Sequence, residues 1–350
     1  MEKVYLKELN ALAKLMEEVE QTPYTNFAKV LILSTMNMRY EKIAFNKKIK
    51  THPYILTKEI ISDSMYHFNN LMELCFIESG VKEIGKSKSK TLEEKHVDLW
   101  QQIWPRHSGP EFQELVRLKT NRLEINNLVE FVQGEDCVDF GCGNGSFSFA
   151  MLEKGAKSVS GIDWGIDSVK YAQNFAELKG LADRTDFKVG DVKNTGYQSD
   201  QFGFAVSNGV FHHLHEFDIT KALREVARVL KPSGWLWYYV DGKGAISMDL
   251  WDKTVEILKN VDFLFIERIL QLMNISRNKI VHIMDSSSAT YIHYDYNEVV
   301  SLLSDCGFQN FKRLSGGTDT DFDLDVVNND LFGIEKFGSG DIRVACQLQN

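Results

Sequence analysis

The fold of this chain is decided by the stretch Cys137-Val138-Asp139-Phe140-Gly141-Cys142-Gly143-Asn144-Gly145-Ser146-Phe147. Its first residues are apolar and typical of a buried strand, glycines then alternate with other residues, and residues 146–154 have the pattern of a helix. Glycines at a strand-to-helix turn let the backbone approach a ligand closely, and the helix N-terminus offers unpaired N–H groups. The stretch therefore predicts a small polar ligand at the carboxyl edge of a parallel sheet.

A similar glycine turn binds nicotinamide dinucleotides, so the stretch alone leaves the ligand open. The dinucleotide fingerprint needs its third glycine or alanine where this chain has Ser146. Three further apolar segments end in groups that can face a ligand. Asp163 follows about 20 residues on and could accept two ribose hydroxyls. Asp191 ends the next segment and could accept an adenine amino group, and residues 206–214 end the last one.

Ligand-facing groups at four successive strand ends resemble the class I S-adenosylmethionine-dependent methyltransferases, in particular the small-molecule branch that includes the quinone-biosynthesis methyltransferases. The resemblance covers roughly residues 125–245 and the two final strands. It implies S-adenosylmethionine as the cofactor and a Rossmann-like α/β fold, a doubly wound, mostly parallel sheet of seven strands. The cofactor-binding residues that it implies are Asp139, Gly141, Cys142, Gly143, Asn144, Gly145, Asp163, Trp164, Gly190, Asp191, Val192, Asn208, Gly209 and Val210.

The resemblance also implies a role for each of these strand ends. The glycine loop would line the methionine part of the cofactor, and Asp163 would hold the ribose. Asp191 and Val192 would contact the adenine, while Asn208–Val210 would form the floor of the site where the methyl group is transferred. Cys142 is expected to pack within the glycine loop and not to act as a nucleophile.

The composition is that of a globular protein, with 43% of the 350 residues hydrophobic and 25% charged. The formal net charge of −9 argues against a broad phosphate-binding surface, so a nucleic-acid partner is not favoured. The five cysteines include no Cys-x-x-Cys pair, which predicts neither zinc nor disulfides and fits a reducing compartment. The start of the chain lacks the apolar core of a signal peptide, and no apolar run approaches the ~20 residues that span a bilayer. We therefore predict a cytoplasmic protein with no membrane partner and no metal.

The chain length predicts one core fold with a substantial addition. Residues 1–95 are predicted to be a helical N-terminal region with a basic, serine-rich linker, and residues 96–350 a methyltransferase domain. Two insertions interrupt the family pattern, a largely helical lid at about residues 246–296 and a loop at about residues 315–340. We expect the N-terminal region and the lid to cover the active site, and a homodimer is considered.

Methyl transfer from a sulfonium mainly requires that the acceptor be aligned and water excluded, and a base matters when the acceptor is protonated. His213 is predicted as that base or as a substrate-orienting group, since its unperturbed pKa would be near ~6.5. His212 would point the other way if the segment is extended, and it is expected to be a structural histidine. The remaining candidates flank the core: His107 and Tyr291 as catalytic groups, and Trp104, Arg106, His293 and Tyr294 as substrate contacts.

The second insertion carries acids at alternate positions from Asp319 to Asp325. Alternating carboxylates could collect Ca²⁺, but the spacing lacks the glycine and the terminal glutamate of a calcium loop. A solvated acidic loop is therefore expected.

These patterns predict an enzyme, an S-adenosylmethionine-dependent methyltransferase that acts on a small molecule. The segment Asn208-Gly209-Val210-Phe211 is not the Asn/Asp-Pro-Pro-aromatic motif of enzymes that methylate exocyclic amines of bases or protein glutamine. A Pro-Cys nucleophile suited to cytosine C5 is also absent from the sequence. Three alternatives stay open: an RNA or protein methyltransferase, an NAD-dependent oxidoreductase, and a non-catalytic cofactor-binding subunit of a methyltransferase complex.

Overall fold

The computed structural model describes residues 2–73, 109–273, 275, 280, 291–318 and 321–350. These residues divide into two compact units. The sheet unit contains those within 109–243, 291–326 and 339–350, and the helical unit contains those within 2–73, 244–280 and 327–338. The first part of the predicted lid insertion therefore groups with the N-terminal helices. The predicted domain boundary between residues 95 and 96 lies outside the described residues.

Seven strands form one sheet in the order β3-β2-β1-β4-β5-β7-β6. They are β1 Asp136–Phe140, β2 Ser158–Asp163, β3 Thr185–Val189, β4 Phe202–Asn208, β5 Leu230–Val240, β6 Phe308–Arg313 and β7 Ile342–Leu348. Strands β1 to β5 run parallel, whereas β7 pairs antiparallel with both β5 and β6. The predicted doubly wound, mostly parallel α/β sheet of seven strands is confirmed.

The strand register determines where a ligand can bind. Asp139 of β1 lies opposite Gly161 of β2 and Val206 of β4. The apolar residues of these inner strands are buried, as expected for parallel strands that are covered on both faces. Since all three strands run in the same direction, the segments that follow β1, β2 and β4 meet at one edge of the sheet.

Helices cover both faces of the sheet and bury two apolar clusters. One cluster centres on Phe140, Phe211 and Val226, and the other includes Phe112 and Phe149. The helices of this unit are Gly109–Ile125, Val129–Val132, Ser146–Glu153, Ile166–Leu178, Glu216–Val229 and Tyr296–Asp305, with 3-10 turns at Ala182–Arg184 and Phe211–His213. This alternation of strand and helix produces the layered core that positions the edge described above.

In the helical unit, a capping interaction fixes the start of the helix Pro23–Ala44. The Thr22 hydroxyl accepts a hydrogen bond from the Thr25 backbone N–H at 3.1 Å, and Pro23 occupies the first helical position, where no backbone N–H is needed. The helices are Leu6–Glu17, Pro23–Ala44, Pro53–Glu73, Ile246–Leu258, Phe263–Leu272 and Gly333–Phe337, and Leu324–Asn329 ends in this unit. None of the described helices is both long and apolar enough to span a bilayer.

The second insertion is not a solvated acidic loop, because Asp321 and Asp323 are buried. Each pairs with Arg343 of β7 at 2.7 Å, and Asp321 also pairs with Arg122 at 3.0 Å. Burial would raise the pKa of Asp321, but the two guanidinium groups together hold it below its ordinary value. The expectation of a solvated loop was wrong because the partners of these acids lie far away in the sequence. Asp319 lies outside the described residues.

Candidate functional site

A cavity opens at the carboxyl edge of the sheet, and all of its lining residues belong to the sheet unit. It brings together most of the predicted site residues from the four strand ends. Those that line it are Asp139, Gly141, Cys142, Gly143, Asn144, Asp163, Trp164, Val192, Asn208, Gly209, Val210 and His213. The predicted residues Gly145, Gly190 and Asp191 are not among the lining residues.

The glycine loop after β1 needs its glycines for both conformation and space. Gly141 has a φ of +73°, and a Cβ atom built there would lie 2.4 Å from Cγ2 of Val210. Gly145 has a φ of +83° and precedes the first residue of the helix Ser146–Glu153. Glycine adopts this left-handed conformation without steric cost. The loop backbone can therefore lie directly against the segment that follows β4.

Asp163 joins the glycine loop to the segment after β2. Its carboxylate accepts hydrogen bonds from the backbone N–H of Gly143 at 2.8 Å and of Gly165 at 2.7 Å. Burial raises the pKa of Asp163, and the two N–H donors act in the opposite direction. A carboxylate has about four lone-pair sites, so two remain to accept hydrogen bonds from a ligand hydroxyl pair.

Asp191, by contrast, directs its carboxylate to groups of its own turn. Its Oδ1 accepts a hydrogen bond from the Lys193 backbone N–H at 2.9 Å, and its Oδ2 lies 3.7 Å from the Lys193 ammonium. Its side chain is 42% exposed, which leaves it beside the cavity wall that Val192 contributes. Its assignment to the adenine stays a prediction.

Asp139 is a buried carboxyl group on the cavity wall. The Ser148 hydroxyl donates a hydrogen bond to its Oδ2 at 2.7 Å. Burial, opposed by the Ser148 hydrogen bond, raises the pKa of Asp139 to about 7. Such a group is well placed to receive a cationic group of a ligand, because a cation would offset the cost of ionising it there.

The raised pKa of Asp139 predicts a pH-dependent stability. Because the folded protein holds this proton more tightly than the unfolded chain, stability is greatest in acid and is lost as the pH rises through about 7. The Asp139→Asn variant cannot ionise at this position and does not show that loss. The free energy of unfolding of the variant minus that of wild type should therefore increase by on the order of 2 kcal/mol between about pH 5 and about pH 8. Urea unfolding of the ligand-free protein at both pH values measures this difference. The exposed Asp183→Asn is the control, and an advantage independent of pH would contradict the prediction.

Lys119 lines the same cavity and was missed in the sequence. It lies on the helix Gly109–Ile125, within a stripe of the buried apolar residues Phe112, Val116 and Leu123 at helical spacing. Burial lowers its pKa well below the ordinary value. A lysine within an apolar helical stripe was the signal that could have identified it. The other lining residues absent from the prediction are Ser146, Phe147, Gly165 and Leu214.

The two histidines after β4 are closer together than expected. β4 ends at Asn208, and Phe211–His213 forms a 3-10 turn instead of an extended strand. Nε2 of His212 lies 3.1 Å from Nε2 of His213. The two side chains were expected to point in opposite directions only along extended backbone, and the 3-10 turn removes that condition. His213 lines the cavity, and His212 is buried behind it.

Hydrogen bonds determine where the proton of His212 lies. The Asp241 backbone N–H donates to its Nδ1 at 3.0 Å, so this nitrogen carries no proton. Burial lowers the pKa of His212 despite the Asp241 carboxylate, and the neutral ring therefore has its proton on Nε2. That N–H points to His213 Nε2, which accepts it. In this arrangement the proton of a neutral His213 ring is on Nδ1.

The last part of the predicted lid insertion, residues 291–294, approaches these histidines. The Tyr291 ring centroid lies 4.4 Å from that of His213 and 5.8 Å from that of His293, with which it is nearly parallel. Tyr294 holds the segment in place, since its backbone N–H donates to the Asp241 carbonyl at 3.2 Å. Burial raises the pKa of Tyr294 to about 12. Tyr291 therefore lies beside His213 and His293 lies beside Tyr291, while Tyr294 is half-buried against the apolar core.

Three predicted residues of the segment before β1 cannot be placed. Trp104, Arg106 and His107 lie outside the described residues. Their predicted roles in substrate contact and catalysis stay predictions.

Comparison with known proteins agrees with this geometry. Residues 137–234 match the family model described as "Methyltransferase domain". The ribosomal protein L11 methyltransferase of Haemophilus influenzae (strain PittEE) is 29% identical over 103 residues, which are 29% of this chain and 32% of that protein. The ubiquinone biosynthesis O-methyltransferase of Bordetella avium is 30% identical over 130 residues, or 37% of this chain and 52% of that protein.

A third relative matches over a longer segment. The 27-O-demethylrifamycin SV methyltransferase of Amycolatopsis mediterranei is 29% identical over 160 residues, which are 44% of this chain and 56% of that protein. The match to these three relatives thus spans between 32% and 56% of their own length. The family model covers the segment that forms the glycine loop and the neighbouring strand ends.

Proposed function

Because this chain carries a class I S-adenosylmethionine-dependent methyltransferase domain, we propose that the protein transfers a methyl group from S-adenosylmethionine to a small-molecule acceptor. Two of the relatives are named for ubiquinone biosynthesis and for 27-O-demethylrifamycin SV. Another relative is named for ribosomal protein L11, so a protein acceptor is the alternative. The family match also counts against the NAD-dependent oxidoreductase.

The observation that carries this proposal is the joint placement of the glycine loop, Asp163 and Asp139 around one cavity. Asp163 would hold the ribose, because its carboxylate faces the cavity from the end of β2. Trp164 and Val192 add apolar wall for the adenine, and Asp139 adds an anionic group near the glycine loop. These chemical groups fit a ligand that combines a cationic amino acid, a ribose and a flat aromatic base.

When bound, S-adenosylmethionine supplies a methyl group that its sulfonium has already activated for displacement. The work left to the protein is to align the acceptor and exclude water, which in favourable intramolecular models contributes roughly 7–11 kcal/mol. Asn208, Gly209 and Val210 line the cavity where β4 ends, and His213 lies just beyond them. We assign the reaction centre to this end of the cavity.

For His213 the hydrogen-bond pattern supports substrate orientation over general base. Its Nε2 already accepts the N–H of His212, and protonation there would bring two N–H groups against each other. The other ring nitrogen, Nδ1, then carries the proton; it is buried in the ligand-free protein, so donation to an acceptor requires the side chains beside it to move. We propose that His213 orients an acceptor by hydrogen-bond donation, with Tyr291 and His293 beside it as substrate contacts.

This role predicts a specific response to substitution at His213. His213→Ala should lower kcat by about 10- to 100-fold, because the acceptor loses an orienting group. His213→Gln keeps an N–H donor and should recover part of that loss, with a pH profile of kcat/KM that keeps its wild-type shape. Steady-state kinetics across pH measure both effects. A His213→Gln enzyme as slow as His213→Ala, with the acidic limb lost from its profile, would support the general base instead.

The function itself is tested by cofactor binding and by transfer of label. Calorimetry should detect binding of S-adenosylmethionine and not of NAD. Methyl-labelled cofactor should then label the metabolite fraction of an extract, and not its protein or RNA fractions. Label in protein or RNA alone would establish the alternative acceptors, and binding without any transfer would favour the non-catalytic subunit.

The cytoplasmic location and the homodimer stay predictions. The location agrees with the state of the described cysteines, since no disulfide joins Cys137, Cys142, Cys306 or Cys346.

A further inference from the structure

We propose that the side-chain amide of Asn208 donates a hydrogen bond to the atom that receives the methyl group, and that Trp237 fixes the amide in this orientation. The site would therefore select an acidic hydroxyl group, such as that of a phenol or an enol, over an amine. This inference rests on the proposed function and deepens it, because it names the chemical class of the acceptor.

The orientation of the Asn208 amide is set by a neighbouring tryptophan. Asn208 of β4 pairs with Tyr239 of β5, so Trp237, two residues earlier on β5, lies diagonal to Asn208 on the same face of the sheet. Nε1 of Trp237 donates a hydrogen bond to Oδ1 of Asn208 at 3.2 Å. An indole nitrogen can only donate, so the amide turns its oxygen toward Trp237 and its NH2 group away from it.

Trp237 can hold the amide because its own position is fixed by packing. It is fully buried, and its ring centroid lies 5.3 Å from that of Phe147. A buried indole N–H needs a hydrogen-bond partner, and among the described residues it is Oδ1 of Asn208 that accepts it. Rotation of the amide by half a turn would place two N–H donors against each other and leave the indole unpaired, which is costly for a buried group.

The NH2 group of Asn208 is available to a ligand. Among the residues that the structure describes, none accepts a hydrogen bond from Nδ2, and this atom is not one of the buried polar atoms that lack a partner. It is therefore accessible, and Asn208 forms part of the cavity wall where β4 ends. This is the end of the cavity to which we assign the reaction centre.

A fixed donor at the reaction centre favours an oxygen acceptor. An N–H group stabilises an oxygen that has lost its proton, and so it lowers the pKa of the acceptor's hydroxyl group. That oxygen forms a bond to the methyl carbon while the carbon–sulfur bond breaks, with the electron pair passing to sulfur and the hydroxyl proton already released to solvent. An amine that carries N–H groups would instead meet a second donor, because Oδ1 of Asn208 is taken by Trp237.

The first test identifies the methylated atom with wild-type protein. The protein is incubated with a metabolite extract and with S-adenosylmethionine whose methyl carbon is isotope-labelled, and the products are examined by carbon NMR. The label should appear in methyl groups bonded to oxygen. Label on nitrogen, sulfur or carbon would overturn this inference and leave the proposed function intact. Transfer to no metabolite would overturn the proposed function and this inference with it.

The second test uses two substitutions and the metabolite identified in the first. Asn208→Asp keeps an oxygen for Trp237 but replaces the donor by an anionic oxygen, so kcat/KM should fall by at least about 100-fold. Trp237→Phe keeps a buried ring and lets the amide rotate, which should lower kcat/KM by about 3- to 10-fold. Trp235→Phe removes the indole that stacks on Phe131, two residues earlier on β5, and as the matched control should leave kcat/KM unchanged.

The double variant shows whether Trp237 acts through Asn208. A carboxylate presents an oxygen in either orientation, so Trp237→Phe should have no further effect on kcat/KM once Asn208→Asp is present. Equal losses from Trp237→Phe in both backgrounds would show that the indole only supports the fold, and would overturn its positioning role.

Binding of S-adenosylhomocysteine separates the acceptor from the cofactor. Its affinity, measured by calorimetry, should stay within about threefold of wild type in Asn208→Asp and in Trp237→Phe, a change smaller than the loss of one charge-assisted hydrogen bond. A loss of affinity as large as the loss in kcat/KM would show that the amide serves the cofactor, and would overturn the inference.

Discussion

Asp163→Ala is expected to weaken the binding of S-adenosylhomocysteine by at least about 100-fold, because each hydrogen bond to a charged group contributes about 1.5–3 kcal/mol. The Asp163 carboxylate accepts the backbone N–H groups of Gly143 and Gly165 and faces the cavity. Its removal therefore releases the glycine loop and also takes away the proposed ribose partner. Calorimetry with the purified variant measures the loss.

Two further variants make this result specific. Asp183→Ala removes the same charge from an exposed turn of the sheet unit and should leave the affinity unchanged. Asp163→Asn keeps one acceptor oxygen and should fall between wild type and Asp163→Ala. Affinity within about threefold of wild type in Asp163→Ala would rule out Asp163 as a cofactor residue, since even one lost charge-assisted hydrogen bond exceeds that change.

The largest effect on stability is expected at Arg343. Its guanidinium pairs with Asp321 and Asp323 at 2.7 Å and with Asp341 at 2.8 Å, and all of these groups are largely buried. Arg343→Leu leaves the carboxylates without their shared cation, which should lower the free energy of unfolding by about 3–5 kcal/mol. Urea unfolding at neutral pH measures the loss.

The cause of that loss can be separated from lost packing. Arg343→Leu combined with Asp323→Asn and Asp341→Asn removes two stranded charges while Asp321 keeps its partner Arg122, so it should recover part of the stability. Arg117→Leu makes the same change in an exposed ion pair with Glu114 and should leave the free energy of unfolding close to that of wild type. If Arg343→Leu and Arg117→Leu behave alike, the buried ion pairs do not contribute as argued.

The glycine loop and the strand ends could be predicted from the sequence because their signals are local. The apolar run before Phe140 and the glycines after it are read within a dozen residues, and the next strand end, at Asp163, follows at the spacing of a βαβ unit. The structure places nearly all of the predicted cofactor residues on one cavity for that reason. Parallel strands must end at the same edge, so short-range patterns specify a long-range arrangement.

The rest depended on contacts between distant segments. Arg122 and Asp321 are 199 positions apart, and neither sequence neighbourhood indicates the other. The same applies to His212, whose proton position is set by the backbone N–H of Asp241. A 3-10 turn after β4 brought the histidines together, and its short length left no periodic pattern to detect. The roles of residues that depend on tertiary partners cannot be predicted from local spacing.

The strand order has a consequence for how the protein is made. β7 is synthesised after β6, yet it lies between β5 and β6 in the sheet. A nascent chain can therefore assemble β1 to β5 and the cavity edge early, while β6 has no partner until β7 leaves the ribosome. Until β7 is available, the facing edges of β5 and β6 both stay unpaired, so insertion of this last strand protects two edges at once.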